Sequence, residues 1–300
     1  MWKSTHQPRH PRQQPQPADN PSLKKKSQNL CINKKNPYLC TQTPKPQPMR
    51  HTIITLLLLL CATHLLAQTN TLTFTVNGVT FNMKKVEGGT FMMGATSEQQ
   101  KPDDVEKPTH HVTLSSYYIG ETEVTQALWK AVMHSNPSFI KGDNLPVGDI
   151  SWNDCQTFIR KLNSLTGKTF RLPTEAEWEF AARGGNKSRH TQYSGSDKTA
   201  DVAWYDKNSK KQPHPVKTKQ ANELGIYDMS GNVFEWCQDW YGEYGSESQD
   251  DPTGPLNGTK RVMRGGSYAT LWWAARISFR YYESPDGTNP SQGLRLALSE

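Results

Sequence analysis

The chain has 300 residues and a formal net charge of +7, from 35 Lys/Arg and 28 Asp/Glu. Ten of the basic residues but only one acidic residue lie within residues 1–67, so residues 68–300 carry 25 basic and 27 acidic side chains. This near balance lacks the basic excess of a nucleic-acid-binding protein, and the composition therefore argues against a nucleic-acid partner.

The first 48 residues are rich in Pro, Gln, Lys and Asn and offer little apolar surface to bury. Such a segment is expected to be disordered. An alternative is that translation starts at Met49 and that residues 1–48 reflect an error in the assigned gene start.

Residues 49–67 have the features of a secretory signal peptide. Arg50 and His51 precede an apolar run, Ile53–Leu60, and Leu65–Ala67 comes directly before Gln68. This pattern predicts cleavage near Gln68 and export to the periplasm, the cell surface or the medium. The run is shorter than the ~20 residues that span a membrane, so membrane attachment is expected only if Cys61 is lipidated.

Alternating apolar residues predict short strands in the first third of the domain that follows. Leu72–Phe81 reads as a hairpin that turns at Asn77-Gly78. Lys84–Met93 offers a strand interrupted by Gly88-Gly89, Glu98–Pro108 a charged loop, and His111–Ile119 a further strand.

Three segments are then predicted to be helical. The first is Thr122–Met133, capped by Thr122, and the second is Ser151–Leu165, capped by Ser151 and closed by Gly167. The third, Pro173–Arg183, has Pro173 at its first helical position. After Gly184 regular patterns almost vanish until a strand within Arg261–Tyr268.

The stretch Gly225–Trp240 combines large aromatic side chains with three acids, Asp228, Glu235 and Asp239. The aromatic rings favour burial, whereas buried carboxylates need a partner. We therefore interpret this stretch as an irregular, loop-rich segment that a cation holds in place. Asp228 and Glu235 flank a Gly231-Asn232 turn whose carbonyl groups can point inward, as a hard cation requires.

Seven motifs together resemble the formylglycine-generating enzyme (sulfatase-modifying factor) family. They occur in the family's order between about Phe81 and Leu298, and are Val86–Gly94, Glu121–Trp129, Pro146–Asp154, Phe170–Arg183, Gly225–Trp240, Arg261–Tyr268 and Gly293–Leu298. The resemblance implies one α+β domain over residues 68–300, with a C-type-lectin-like fold, little regular secondary structure and bound calcium.

By the same resemblance, the structural calcium ion would be held by the side chains of Asp228 and Glu235 and by the carbonyl groups of Gly231 and Val233. The alternative is that these carboxylates cap buried backbone amides without a metal.

The family's enzymes oxidise a sulfatase cysteine to formylglycine with copper(I) held by a cysteine pair. The resemblance places that pair at Thr270 and Ala275, and neither residue can bind copper. Copper is therefore not expected. Cys155 and Cys237 lie elsewhere in the sequence, where they either form a disulfide or are small buried hydrophobic residues.

Residues 269–289 contain bulky aromatic side chains between two motifs, and resemble the ligand-facing tail of lectin-fold binding proteins in the same superfamily. Aromatic residues are favoured anchors at binding surfaces. We predict that Arg276, Ile277 and Phe279 face the core, and that a ligand-binding surface is formed by Trp272, Trp273, Tyr281 and Tyr282.

Two functions from different classes follow. The first is a binding protein that uses residues 269–289 to hold a protein, peptide or glycan. The second is a formylglycine-generating oxidoreductase, which the missing cysteine pair argues against.

Overall fold

A computed structural model describes residues 70–300, so the predicted leader and signal peptide lie outside the described residues. The strands β1 to β12 are Thr71–Val76, Val79–Val86, Gly89–Met93, His110–Leu114, Tyr117–Gly120, Phe170–Arg171, Phe234–Trp240, Gln249–Asp250, Arg261–Arg264, Arg280–Glu283, Gln292–Leu294 and Ala297–Ser299. The helices α1 to α4 are Gln126–Met133, Trp152–Thr166, Glu175–Ala182 and Thr199–Val202. Within residues 70–300 no helix is both long and apolar enough to cross a membrane.

The largest sheet has five strands in the order β1-β2-β5-β12-β6. Strands β1 and β2 form the predicted antiparallel hairpin, and Asn77 and Gly78 turn the chain with φ values of 48° and 82°. The C-terminal strand β12 pairs antiparallel with both β5 and β6. The last residues of the chain therefore complete a sheet that the first described residues begin.

A second sheet, with the order β10-β9-β7-β11, corrects one expectation. The second half of Gly225–Trp240 is strand β7 rather than a loop, and it pairs antiparallel with β9 and parallel with β11. Cys237 consequently lies in a strand. The repeated aromatic and acidic residues obscured this strand, because its side chains are buried on both faces instead of alternating between core and solvent.

A small third sheet contains β3, β4 and β8. Adjacent residues at the start of β4 face opposite ways, so His110 is buried and His111 is exposed. The segment Glu98–Pro108, predicted as a charged loop, is partly buried. It contains a 3₁₀ turn, Asp104–Glu106, and the Glu106 side chain is fully buried.

Local capping explains the helix ends. Helix α2 begins after Ser151 and ends at Gly167 in the left-handed conformation, which confirms both predicted caps. Helix α1 starts later than predicted, because Thr125 rather than Thr122 caps it and the preceding backbone pairs elsewhere: the Val124 N–H donates to the Leu294 carbonyl.

Helix α3 also begins two residues beyond its predicted start. Thr174 is its N-cap, with its hydroxyl accepting from the Glu177 N–H, so Pro173 lies outside the helix rather than at its first position. For both α1 and α3 the sequence therefore predicts the helix correctly but not its first residue. The first residue is set by the side chain that caps the first turn.

The apolar core has two main clusters of buried side chains. In the larger one Trp129 stacks on Phe158 with ring centroids 4.9 Å apart, and the helices α1 and α2 pack on the five-stranded sheet. The smaller one surrounds Trp178 and Phe180 of α3 and includes Cys237. With so little regular structure, much of this core is lined by loops.

Four arginines in the C-terminal forty residues are buried and paired. Each forms an ion pair with a buried glutamate from an earlier part of the chain, and the pairs are Arg264 with Glu175 and Glu179, Arg276 with Glu106, Arg280 with Glu175, and Arg295 with Glu235. Because an unpaired buried charge is costly, these pairs fix the irregular segments that carry them.

Candidate functional site

An open cleft of about 330 Å³ lies next to strand β10 and the 3₁₀ turn Trp272–Ala275. Two aromatic side chains at its floor, Phe234 and Phe279, are each only 6% exposed. In contrast, Trp273 is 37% and Tyr281 41% exposed, so both rings offer accessible surface. The cleft therefore has a fixed apolar floor and two accessible aromatic walls.

The floor holds the wall residues in place. Tyr281 stacks on Phe234 with centroids 5.1 Å apart, and Trp273 meets Phe279 edge to face at 5.3 Å. Aromatic side chains held in this way lose little conformational entropy when they contact a ligand, which suits them as binding anchors.

One polar group in the cleft has no partner. Gln292 begins strand β11 and is 5% exposed, yet its Oε1 atom forms no hydrogen bond within residues 70–300. A buried acceptor without a donor costs about 1–3 kcal/mol, so a ligand N–H or O–H that reaches it would be favoured. No pattern in the sequence singles out Gln292, because its role depends on strands that meet only in the fold.

The polar residues around this cleft are Thr270, Glu283, Thr288, Asn289 and Ser291. None of the residues that line it is a cysteine, histidine or lysine. The arrangement provides stacking surfaces and hydrogen-bonding groups, which are what binding requires.

The predicted core-facing residues are confirmed, whereas the four predicted surface aromatics do not form one group. Arg276 and Ile277 are 1% exposed. Tyr282 lies beside the cleft, where it stacks on Tyr281 with centroids 5.9 Å apart and packs on Tyr241. Trp272 is half-buried against a separate small cluster, with Lys101 over its ring, and does not line the cleft.

The two positions that correspond to the copper-binding cysteines carry no free ligand group. Thr270 is at the cleft, but its hydroxyl donates to the Ser267 carbonyl at 3.0 Å and accepts from the Ser267 N–H at 2.9 Å. Ala275 is fully buried.

The two cysteines of residues 70–300 do not replace the missing pair. Cys155 and Cys237 are both free, fully buried and in different core clusters. Burial raises the pKa of each thiol well above its usual range, so neither readily forms the thiolate that a copper ligand requires. The interpretation of both as small buried hydrophobic residues fits the structure, and a disulfide between them is absent.

The predicted calcium turn has a specific geometry. Asp228 is 3% exposed; its Oδ2 atom accepts from the Lys217 N–H at 2.8 Å, and its Oδ1 atom has no hydrogen-bond partner among the described residues. Glu235 is engaged on both oxygens. Arg295 donates to them at 2.6 and 2.9 Å, and the Trp178 indole donates at 2.6 Å.

Three of the four predicted calcium ligands have an oxygen atom that is not engaged by a side-chain or loop donor in residues 70–300. Besides the free Oδ1 of Asp228, the carbonyl oxygens of Gly231 and Val233 accept no side-chain or loop hydrogen bond in the described part of the chain. Glu235 fits less well, because Arg295 already provides its positive partner. No group of three or more His, Cys, Asp or Glu side chains within residues 70–300 is arranged to hold a metal.

Acidic side chains nonetheless cluster around the turn. Burial, and then the charges of Asp228 and Glu235, raise the pKa of Glu123 well above its usual range. Burial also raises the pKa of Asp228 to about 6. Three neighbouring carboxyl groups thus lie around one buried guanidinium, that of Arg295, and the charge of Lys217 also acts on Asp228.

Comparison with known proteins places these features in a family. A profile of the sulfatase-modifying factor enzyme 1-like domain matches residues 75–300. The chain is 34% identical to chaperone protein LppX of Paenibacillus barcinonensis, an alignment that covers 72% of this chain and 88% of the relative. It is 30% identical to the formylglycine-generating enzyme of Streptomyces coelicolor, over 71% of this chain and 88% of that enzyme.

Solved structures agree on the fold. Treponema denticola variable protein 1 superimposes with a TM-score of 0.71 and 33% identity, over 77% of this chain and 99% of that protein. PvdO from Pseudomonas aeruginosa superimposes with a TM-score of 0.66 over 78% of this chain and 100% of PvdO; at 23% identity it supports the fold alone. These similarities confirm the predicted α+β, C-type-lectin-like architecture.

Proposed function

Because the chain belongs to the sulfatase-modifying factor enzyme 1-like domain family, we propose that it is a binding protein that uses this family's fold to hold an external ligand in the aromatic cleft. The proposal rests on which side chains line the cleft. Where the resemblance calls for a copper-binding cysteine pair, this chain has Thr270, whose hydroxyl is already engaged, and the buried Ala275. The cleft beside Thr270 is lined by the accessible rings of Trp273 and Tyr281, which pack on buried aromatic side chains.

The chemistry of the cleft suggests the ligand. Trp273 and Tyr281 would stack against an apolar face, and the Gln292 Oε1 atom would accept a hydrogen bond from an N–H or O–H group. A protein loop, a peptide or a glycan offers both features. The names of two relatives, a chaperone protein and a variable protein, support a role other than oxidation.

Calcium would serve this function as a structural ion. We propose that Asp228 and the carbonyl groups of Gly231 and Val233 hold it, which would fix the turn that leads into β7, the strand that carries Phe234. Export remains a prediction from the sequence. The intact mass of a secreted product beginning near Gln68 would support it, and a product lipidated at Cys61 would show membrane attachment instead.

The binding proposal can be tested with a phage-displayed peptide library and a glycan array. Ligands selected by the wild-type protein should bind Trp273→Ala and Tyr281→Ala at least about 30-fold more weakly, because truncation of a central aromatic anchor typically costs about 2 kcal/mol or more. Phe139→Ala is the matched control, since Phe139 is 79% exposed and lies outside the cleft. Selected ligands that bind all variants equally would exclude the cleft as the binding site.

The oxidoreductase is the competing function, favoured by the identity to the Streptomyces enzyme. Incubation of the protein with copper(I), oxygen and a CxPxR peptide, followed by mass spectrometry, distinguishes the two. We expect no conversion of the cysteine to formylglycine. Turnover above a no-protein control would reject the binding-protein assignment.

A further inference from the structure

A second cavity, of about 540 Å³, shares no lining residue with the aromatic cleft. It lies among the start of strand β4, the first turn of helix α3, the end of strand β7 and residues 242–255, which include strand β8. Neither the family's copper chemistry nor the proposed binding function uses it. Its lining contains buried polar groups that their protein neighbours leave partly unsatisfied.

His110 presents a free hydrogen-bond acceptor to this cavity. The side chain is 3% exposed, and its Nδ1 atom lies 3.2 Å from the Pro108 carbonyl oxygen. Because a carbonyl can only accept, Nδ1 is the donor in this contact, and the tautomer with its proton on Nδ1 has Nε2 available as an acceptor. That atom forms no hydrogen bond in the part of the chain that the structure describes.

Asp239 is the second such group. It is 4% exposed, and its Oδ2 atom accepts from the Glu175 N–H at 2.9 Å, while Oδ1 has no partner among residues 70–300. Burial, and then the charge of Glu175, raise its pKa to about 8. Gly254, with φ of 73°, allows the loop to approach, since a Cβ atom there would lie 2.8 Å from the Asp239 Cβ.

Arg280, the basic side chain that lines the cavity, already forms an ion pair with Glu175. Arg280 donates to the two oxygens of Glu175 at 2.7 and 2.8 Å. Tyr244 donates to the same carboxylate at 3.1 Å, and Arg264 reaches it at 2.9 Å from behind. Glu175 and Arg280 therefore pair with each other, and Arg280 donates no hydrogen bond to Asp239 within the described residues.

Two further acids stand at the mouth. Glu243 and Asp250 line the cavity, are exposed, and form no ion pair within the described residues. Four carboxyl groups thus line a space that contains one guanidinium, in a domain that is otherwise close to charge balance. The free polar atoms of His110 and Asp239 can accept hydrogen bonds, and acidic side chains outnumber basic ones in the lining around them.

We propose that this cavity binds an organic cation that carries N–H groups, an alkylammonium or alkylguanidinium group, through His110 Nε2 and the Asp239 carboxyl group. Such a group supplies the hydrogen-bond donors that both acceptors lack, and its positive charge would favour the ionised form of Asp239 and offset the acidic side chains of Glu243 and Asp250. A metal ion is a poorer match, because no cluster of three or more His, Cys, Asp or Glu ligands is found in residues 70–300. The cation can be a free amine or the basic side chain of a partner polypeptide.

The test is isothermal titration calorimetry on the purified full chain with two probes. Agmatine represents the free cation, N-acetyl-arginine amide represents the side chain, and N-acetyl-citrulline amide is the uncharged control of similar shape. We expect at least one cationic probe to bind at least about 10-fold more tightly than the control, the difference that one charge-assisted hydrogen bond typically gives. The tighter of the two probes identifies the source of the cation.

Variants locate the site. Asp239→Asn keeps the acceptor for the Glu175 N–H but removes the charge, and should weaken cation binding about 10-fold. Glu243→Gln, an exposed change that leaves the core intact, should weaken it about 2- to 5-fold. Glu247→Gln is the matched control on the same loop, because Glu247 is exposed but does not line the cavity, and it should leave the affinity unchanged.

Three results would overturn the proposal: no binding of either cation at millimolar concentration, equal binding of the uncharged control, or equal affinities for wild type and Glu243→Gln. The last of these stays informative even if Asp239→Asn fails to fold. Because Trp273→Ala should leave cation binding intact, the proposal can fail or succeed independently of ligand binding in the aromatic cleft.

Discussion

At the scale of single residues, Asp239 shows how burial changes an acid. In the unfolded chain it loses its proton near pH 3.8, whereas in the folded protein burial and the neighbouring Glu175 charge raise its pKa to about 8. Between these values the unfolded state binds fewer protons than the folded state, so this residue makes the fold less stable as the pH rises.

We therefore predict that Asp239→Asn gains stability relative to the wild type as the pH increases. The difference in unfolding free energy should grow by up to about 1.4 kcal/mol per pH unit from about pH 5 to pH 8 and then level off. Urea denaturation at several pH values measures it. Asp250→Asn, an exposed control, should show a difference independent of pH, and a constant difference for Asp239→Asn as well would disprove the raised pKa.

At the scale of elements, a three-residue turn holds a long irregular segment. Glu106 of the 3₁₀ turn Asp104–Glu106 is fully buried and binds the Arg276 guanidinium with both oxygens at 2.6 Å. Burial alone would raise the pKa of Glu106, but hydrogen bonds from Arg276 and Ser278 bring it below its usual value. The pair is thus ionised, and it ties Glu98–Pro108 to the C-terminal part of the chain.

Replacing Glu106 by Gln should destabilise the protein by about 3–5 kcal/mol, because it leaves the Arg276 charge buried without a counterion. Asp104→Asn is a matched control in the same turn. The Asp104 side chain is fully exposed and, within residues 70–300, forms an ion pair only with Lys107, so its loss should change the stability by less than about 1 kcal/mol. Thermal and urea denaturation of both variants measure the contrast, and similar midpoints would show that the buried pair contributes little.

At the scale of the whole molecule, calcium binding at the Asp228–Glu235 turn stays a prediction. A ligand that binds only the folded state adds about 2.7 kcal/mol of stability when its concentration is a hundred times Kd. A chelator should therefore lower the Tm of the wild-type protein, and added calcium should restore it.

Asp228→Asn is the informative variant for this test. Asn tolerates the φ of 61° at this position and can still accept from the Lys217 N–H, so the change mainly removes a charged ligand. Its Tm should respond weakly to the chelator. Glu235→Gln is less suitable, since it would also break the ion pair with Arg295. Identical wild-type melting curves with and without chelator would rule out a structural calcium ion.

The sequence by itself determined the parts of this protein that depend on neighbouring residues and on the order of motifs. The β1–β2 hairpin follows from its alternation and its Asn77-Gly78 turn, and helix α2 follows from its apolar stripe and the caps Ser151 and Gly167. The seven ordered motifs predicted the family and the fold. The absence of the cysteine pair at Thr270 and Ala275 was also evident without coordinates.

Only the tertiary structure decided what each side chain faces. Arg276 and Glu106 are 170 residues apart in sequence, so no local pattern indicates that they pair. Likewise, no local pattern indicates that Trp272 lies outside the aromatic cleft or that Gln292 lines it. Nor does any local pattern indicate that His110 and Asp239 line the same second cavity. Local hydrogen bonding and capping are short-range and can be predicted from sequence, whereas the partner of a buried charge or ring depends on which distant segments pack against it.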